Sequence, residues 1–498
     1  MKRAFLLLVV IFTIGSQVFA QEATPGVRPL TLPECVDIAL KNNLNVRRSI
    51  YNVETYNVNL FTAKMNFLPS INAGGSYGLN YGRSLNPVTN TYINRNGSSV
   101  NGQLTGSWLL FNGFRVTNTF RQGKKDVAAA DADLQKAKND VIINVVTLYI
   151  NVIFNKELLA NNQYQLGSSQ QQLDRITRQV EAGALPKSNQ LTQEAQVATN
   201  EVNVINQENA LRLSVLQLKQ AMQIPASEQM DVVVPEIALE DIILDTTPEQ
   251  IYAESLKTMP EIKSALLKVE SARLALMAAK GGLYPRLTLN GSAFSNYSSI
   301  SRDQNNSGVA SYTAIPSNGP PIGYAVDQTN NPITVGGSLV GVNGINYVPI
   351  YNDEKDKYTE KEQLRDNLSK TLSFQLSVPI FNNWSQRATV QRAAIQTEVA
   401  RLNEIQAQNT LRQTIETAYN DAYAASKTYA ASVKQVNANE EAYRMVLQRF
   451  DIGAANFVEK QVAENTMFQS RSDLTRAKYN FIFKKKILDF YQGKQIEY

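Results

Sequence analysis

The stretch SINAGGSYGLNYG, residues 70–82, alternates with a period of two. Ile71, Ala73, Gly75, Tyr77, Leu79 and Tyr81 fall on one face, and Asn72, Gly74, Ser76, Gly78 and Asn80 on the other. Such alternation predicts a β-strand with one apolar and one polar side. A second run, SVNGQLTGSWLLFN (99–112), sets Val100, Gly102, Leu104, Gly106, Trp108 and Leu110 against Asn101, Gln103, Thr105 and Ser107. The pattern returns late in the chain. Leu287, Leu289, Gly291, Ala293 and Tyr297 oppose Thr288, Asn290, Ser292 and Asn296, and Leu372, Phe374, Leu376, Val378 and Ile380 oppose Ser373, Gln375 and Ser377. Each run is long enough to cross a bilayer as a tilted strand, which takes about 9–11 residues. Tyr77, Tyr81, Trp108 and Tyr297 are candidates for the aromatic girdles that flank such strands.

Between the strand pairs the period changes to seven. Val145, Val152, Leu159, Leu166, Leu173 and Val180 form one series; Val127, Leu134, Val141 and Leu148 form another, offset by four. This predicts one helix over about 115–181, roughly 100 Å long at 1.5 Å per residue, with a coiled-coil seam. Ile415, Ala422, Tyr429, Val436, Tyr443 and Phe450 repeat the seam 270 residues later. Each long helix runs into a glycine turn, EAGALPKSN or DIGAANFVE, where Gly183 and Gly453 supply a left-handed cap. An antiparallel helix is expected after each turn, over about 187–222 and 457–490, so each pair forms a helical hairpin.

The chain is therefore duplicated. TLPECVDIALKNNLNVRRS (31–49) resembles TPEQIYAESLKTMPEIKSA (247–265), and Pro69 returns as Pro285, a shift of 216; Phe111 returns as Phe381 and Gly183 as Gly453, shifts of 270. The second copy thus carries 54 more residues, between Pro285 and Phe381. They are rich in Gly, Ser, Asn and Pro and read as a long polar loop at about 300–368. The expected division is a signal peptide at 1–20, a first repeat at 21–246 and a second at 247–498. Lys2 and Arg3, an apolar stretch from Ala4 to Ile14 and the small-x-small Val18-Phe19-Ala20 carry the signal-peptide reading.

Composition narrows the function. Beyond the signal no apolar run of 18 residues is found, so helical membrane spans are expected to be excluded while a barrel stays open. There is no histidine, so histidine-based acid–base and metal chemistry is excluded. Cys35 is the sole cysteine and is read as a packing residue. The formal net charge of +5, part of it in Lys2 and Arg3, is too small to argue for nucleic acid. No phosphate loop, metal-ligand cluster or activated nucleophile is present; no cofactor and no enzymatic activity are expected. The mixed-charge run NDEKDKYTEKEQLRDN (352–367) and Lys484-Lys485-Lys486 are read as solvated.

Four strands cannot close a membrane barrel, which needs about eight or more, and open strand edges are not tolerated in lipid. Several chains must contribute. Three would give twelve strands, with Asn, Ser, Thr and Gln lining a wet lumen.

Here the residues carry a resemblance. LTLPECVDIALKNN after a signal peptide, the duplicated apolar-Pro strand start, and RFDIGAANFVEKQVAENTMFQSRSDLTRAKYNF are similar to the TolC-like outer-membrane efflux proteins. The resemblance covers essentially the whole mature chain. It implies an α+β membrane protein: a trimeric 12-stranded barrel continued by a helical periplasmic tunnel, in the outer membrane of a Gram-negative bacterium. It also implies a periplasmic adaptor and an inner-membrane transporter as partners, and a mixed equatorial region to which 224–250 would belong. By the same resemblance Gly183, Ala184, Leu185, Gly453, Ala454 and Ala455 form the periplasmic tip that receives the adaptor. Glu459 falls where some members carry an acidic ring at the entrance. Val462 stands where a second acidic residue would sit and Ala455 where a basic latch residue would sit, which departs from the fuller pattern. The function implied is a passive exit duct for efflux or secretion. A soluble periplasmic coiled-coil scaffold is the competing reading; the alternating strands argue against it.

Overall fold

The computed structural model describes residues 29–85, 92–94, 96–234, 246–299 and 359–494, and the backbone of four strands between 309 and 351. The expected signal peptide lies outside the described residues.

The first copy contains β1 (Pro29–Leu30), α1 (Leu32–Asn42), α2 (Leu44–Met65), β2 (Ser70–Asn80), β3 (Arg83–Leu85), β4 (Tyr92–Asn94), β5 (Gly97–Asn112), α3 (Arg115–Glu181), α4 (Lys187–Met222) and β6 (Asp231–Val232). The second contains α5 (Pro248–Thr258), α6 (Pro260–Gly281), β7 (Arg286–Ser298), β8 (Val309–Pro316), β9 (Thr334–Val335), β10 (Ser338–Gly341), β11 (Ile345–Tyr351), α7 (Glu360–Asp366), β12 (Ser369–Ser377), α8 (Ser385–Asp451) and α9 (Phe457–Tyr491). The duplication holds closely in the helices, and α4 and α9 differ by one residue, 36 against 35. α1 and α5 have 11 residues each, α2 and α6 have 22, and α3 and α8 have 67. Capping repeats as well: the Thr31 amide donates to Glu34 Oε2 at 2.9 Å, and the Thr247 amide to Gln250 Oε1 at 3.1 Å.

The extra residues of the second copy are not all loop. β8 to β11 form their own antiparallel sheet in the order β8-β11-β10-β9. VASYTAIP and INYVPIY are the β-branched and aromatic islands in that polar stretch, and strands form there. Within the mixed-charge run, Thr359 caps α7, accepting from the Glu362 amide at 3.4 Å.

The chain divides into two compact units. One comprises Met1–Val58, Lys124–Ser271 and Glu398–Tyr498. Its main core gathers Cys35 and Ala39 from α1, Val145, Tyr149 and Ile153 from α3, Leu218 and Met222 from α4 and Ile482 from α9. A second cluster joins Ile251 and Ile262 to Leu411, Ile415, Ala422 and Leu488. The short parallel pair β1–β6 closes over the first core, and Lys156 Nζ clamps Asp231 at 2.8 and 2.9 Å. Residues 235–245 of the expected equatorial segment lie outside the described residues.

Below Ile153 the α3 seam changes character. The sequence pattern expects leucines to continue it, but Leu159, Leu166 and Leu173 are only half-buried, while Asn155, Ser169 and Gln172 are buried. Side-chain amides join the helices instead. Gln207 Nε2 donates to Asn155 Oδ1 at 3.0 Å, Gln193 Nε2 to the Ser169 carbonyl at 2.9 Å, and Asn200 Nδ2 to Ser169 Oγ at 3.0 Å. Gln461 and Asn465 of α9 both donate to Gln196 Oε1, at 3.1 and 3.3 Å. Buried amides are tolerated because each finds a partner. One 18-residue window of α3 has a mean hydropathy of 1.4, apolar enough to cross a membrane by length and composition, and 44% of it is buried inside the protein. Scattered asparagines and threonines break the run without lowering its mean enough. Lys484 is not simply solvated: it pairs with Asp421 at 2.6 Å.

The second unit comprises Asn59–Gly123 and Ala272–Thr397. Its centre is an antiparallel sheet in the order β12-β7-β5-β2. Sharp turns lead from strand to long helix: Gly113 and Phe114 have φ of 64° and 60°, and their counterparts Asn383 and Trp384 have 51° and 63°. Gly113 also packs on Gly281 so closely that an added Cβ would lie 2.4 Å from the Gly281 carbonyl oxygen.

Candidate functional site

The register of the sheet sorts its side chains into two faces, because direct partners in adjacent strands share a side. One row reads Tyr77–Val100–Tyr297, another Ile71–Gly106–Gly291–Leu372, and a third joins Trp108, Leu289 and Phe374. The opposite face reads Asn72–Thr105–Ser292–Thr371 and Ser70–Ser107–Asn290–Ser373. Much of the apolar face is uncovered by the described residues: Ile71 is 70% exposed, Leu372 71% and Phe374 69%. One detail departs from strict alternation. A bulge at Leu110 brings Phe111, not Leu110, opposite Leu287. Polar side chains cross-link the other face, as where Ser107 Oγ donates to Asn290 Oδ1 at 2.9 Å.

Tyr77 and Tyr297 share a row toward one end of the strands, and Tyr81 follows β2 at that end. Trp108 lies toward the other end and donates from Nε1 to the Phe67 carbonyl at 2.9 Å. β2 and β12 are the edges of this sheet. Successive strands alternate in direction, so these two edges run oppositely.

The two glycine turns share one geometry. Gly183 and Gly453 have φ of 74° and 75°. Ala184 N donates to the Gln179 carbonyl at 2.8 Å and Gly183 N to that of Val180 at 3.0 Å; Ala454 N and Gly453 N repeat this on Arg449 and Phe450 at 2.7 and 3.0 Å. These are Schellman caps, which satisfy carbonyls left unpaired at a helix end. Gly183, Ala184, Gly453 and Ala454 are exposed, and Leu185 and Ala455 are half-buried.

After the second turn Asn456 caps α9. Its Oδ1 accepts from the Glu459 amide at 2.8 Å, its Nδ2 donates to Glu459 Oε1 at 3.1 Å, and Arg449 approaches Glu459 Oε2 to 3.7 Å. Glu459 is thus an exposed carboxylate held by its own helix start and by the last turn of α8. The Asn456-x-x-Glu459 spacing is the sequence signal for this cap.

Lys460, one residue on, is only 3% exposed and lies 3.9 Å from Glu464, near the Phe450 ring. Burial holds its ammonium below the ordinary lysine value, and Glu464 opposes that shift. Burial, reinforced by Glu464, pushes the Tyr443 hydroxyl up to about 12. Sequence reading passed over Lys460, because a lone lysine on a helix carries no pattern. In the main core burial lifts Cys35 and Tyr149 to about 12. The Tyr149 hydroxyl lies 2.8 Å from the Val233 carbonyl and 3.1 Å from that of Leu30. Among the described residues no group of three or more His, Cys, Asp or Glu is placed to hold a metal.

Comparison with known proteins agrees with this geometry. Over 448 residues the chain is 22% identical to outer membrane protein TolC of Escherichia coli, spanning 89% of this chain and 78% of that one. Nodulation protein T of Rhizobium leguminosarum is 22% identical over 261 residues, so the match spans 52% of this chain and about half (55%) of that relative. The fold matches the Campylobacter jejuni CmeC outer membrane channel with a TM-score of 0.67 at 16% identity, over 100% of this chain and 96% of that one. The sequence profile of the family described as outer membrane efflux protein matches residues 35–222 and 353–485. That is more than half of the chain, and it covers both long hairpins: the chain belongs to the outer membrane efflux protein family, a non-enzymatic transport family of Gram-negative outer membranes.

Proposed function

We propose that three copies of this chain build a closed twelve-stranded barrel and act as a passive exit duct. The observation that carries this reading is the four-stranded sheet whose apolar face is largely exposed and whose two edges, opposite in direction, have no partner strand among the described residues. Edges of opposite direction let β2 of one copy pair antiparallel with β12 of the next, so any whole number of copies continues the alternation. Two copies would only reach the minimum of about eight strands; three, the number that the family resemblance implies, give twelve. The apolar rows then face lipid and the Asn-, Ser- and Thr-rich rows face water. Tyr77, Tyr81 and Tyr297 make one aromatic girdle and Trp108 belongs to the other.

In this reading the duct supplies no energy. A periplasmic adaptor meets the tip at Gly183, Ala184, Leu185, Gly453, Ala454 and Ala455, and an inner-membrane transporter drives export. The exposed Schellman turns support the tip assignment, since nothing in the described chain covers them. Glu459 contributes a carboxylate per copy at the entrance, with Arg449 tempering its charge. The repeats at 21–246 and 247–498 supply equivalent arms.

Purified protein inserted into planar bilayers tests the duct. Discrete ion currents are expected. A water-soluble monomer that never inserts would instead favour the scaffold reading.

A further inference from the structure

Resting on the duct reading, the geometry points to an anion-attracting collar where the sheet passes into the long helices, with Arg115 and Arg286 at its centre. These two guanidiniums line a cavity of about 690 Å³, shared with Asn66, Ser107, Ser377 and Gln386. No carboxylate lines it. Ser107, Arg286 and Ser377 belong to the rows of the sheet's polar face, so the cavity opens on the side the duct reading gives to water.

The charge distribution around it is one-sided. The sequence has no Asp or Glu between Glu54 and Asp126, none between Glu270 and Asp303, and none between Asp366 and Glu398. These stretches hold all four strands of the sheet and both strand-to-helix turns. Lys64, Lys280 and Arg387 are exposed near the same turns. Lys64 and Lys280 sit in last helical turns, where a cation suits the helix dipole. Arg115 and Arg387 do the reverse: they occupy the first turns of α3 and α8, which contain no acid. Helix stability does not account for them, and among the described residues no carboxylate lies in salt-bridge range of either. Repeated in three copies, the collar becomes a ring of unneutralised positive charge, and rings of one sign select the opposite ion. The solutes favoured at this level carry carboxylate, sulfonate or phosphate groups.

The test is the reversal potential of the reconstituted channel in a KCl gradient, with pyrophosphate then added as a multivalent probe. The double variant R115Q/R286Q is expected to lower the chloride-to-potassium permeability ratio about threefold or more and to abolish block by pyrophosphate. R286Q alone, on the polar face of β7, shows the same change in smaller measure, and R115K/R286K keeps the wild-type values. A conducting R115Q/R286Q or R286Q channel with unchanged ratio and block overturns the collar and leaves the duct standing. A wild-type protein that inserts but does not conduct overturns the duct, and the collar with it.

Discussion

Cys35 and Tyr149 are buried acids whose ordinary values, 9.0 and 10.0, rise to about 12 in the fold. The folded state keeps these protons while the unfolded chain releases them, so their contribution to stability is complete below pH 9 and is lost as pH climbs toward 12. Urea unfolding of the helical body is expected to have a lower midpoint at about pH 10.5, above both ordinary values, than at about pH 8, below them. The same burial makes the Cys35 thiol inert: iodoacetamide should label it at pH near 8 only after unfolding, as mass spectrometry will register. At the tip, Glu459→Gln separates charge from structure. Glutamine keeps a side-chain oxygen for Asn456, and the lost pair with Arg449 is half-exposed, so α9 should change in stability by less than about 1 kcal/mol. Asn456→Ala removes the cap itself and should fray the first turn of α9 by about 1 kcal/mol in hydrogen exchange. An altered cation preference in Glu459→Gln channels supports the entrance role, and an unaltered one refutes it.

For the strands, the two faces make opposite forecasts. Leu104 lies in the apolar row with Ala73 and Ala293, and its neighbour Thr105 lies in the polar row with Asn72 and Ser292. Leu104→Arg should destabilise the barrel by about 2–4 kcal/mol if that row meets lipid, while Thr105→Arg should be tolerated. Heat-modified mobility on gels reads both. This contrast was legible in the sequence, because a period of two survives any folding context that buries one side. The long helices and their tight turns were legible for the same reason: α3 and α8 keep their 270-residue offset from first residue to last. The amide seam was not. Gln193 and Ser169 are partners across 24 residues, and Gln207 and Asn155 across 52. No single-helix periodicity announces such pairs, and the leucines nearby suggested a dry seam. The bulge at Leu110 was hidden too, since alternation has no mark for one residue out of step. The Lys484–Asp421 pair needed two helices brought together before either residue had a meaning.

At the scale of the assembly, native mass spectrometry in detergent is expected to give three times the 55.3 kDa chain mass, less any removed leader. A stable single chain would leave β2 and β12 without partners and contradict the barrel. The amide seam between α3, α4 and α9 has a thermal consequence. Parting these hairpins near their turns trades amide–amide bonds for amide–water bonds, besides wetting the apolar side chains buried among them, such as Ile176, Val197, Met467 and Phe468. Apolar hydration is what raises heat capacity on exposure, whereas polar exposure lowers it. In a gate built on this seam the amide contribution would therefore offset part of the apolar one, and from cold to warm its van't Hoff plot would curve less than that of an all-apolar seam of equal area. Melting of the methyl-rich body around Ile150 would bend strongly over the same interval.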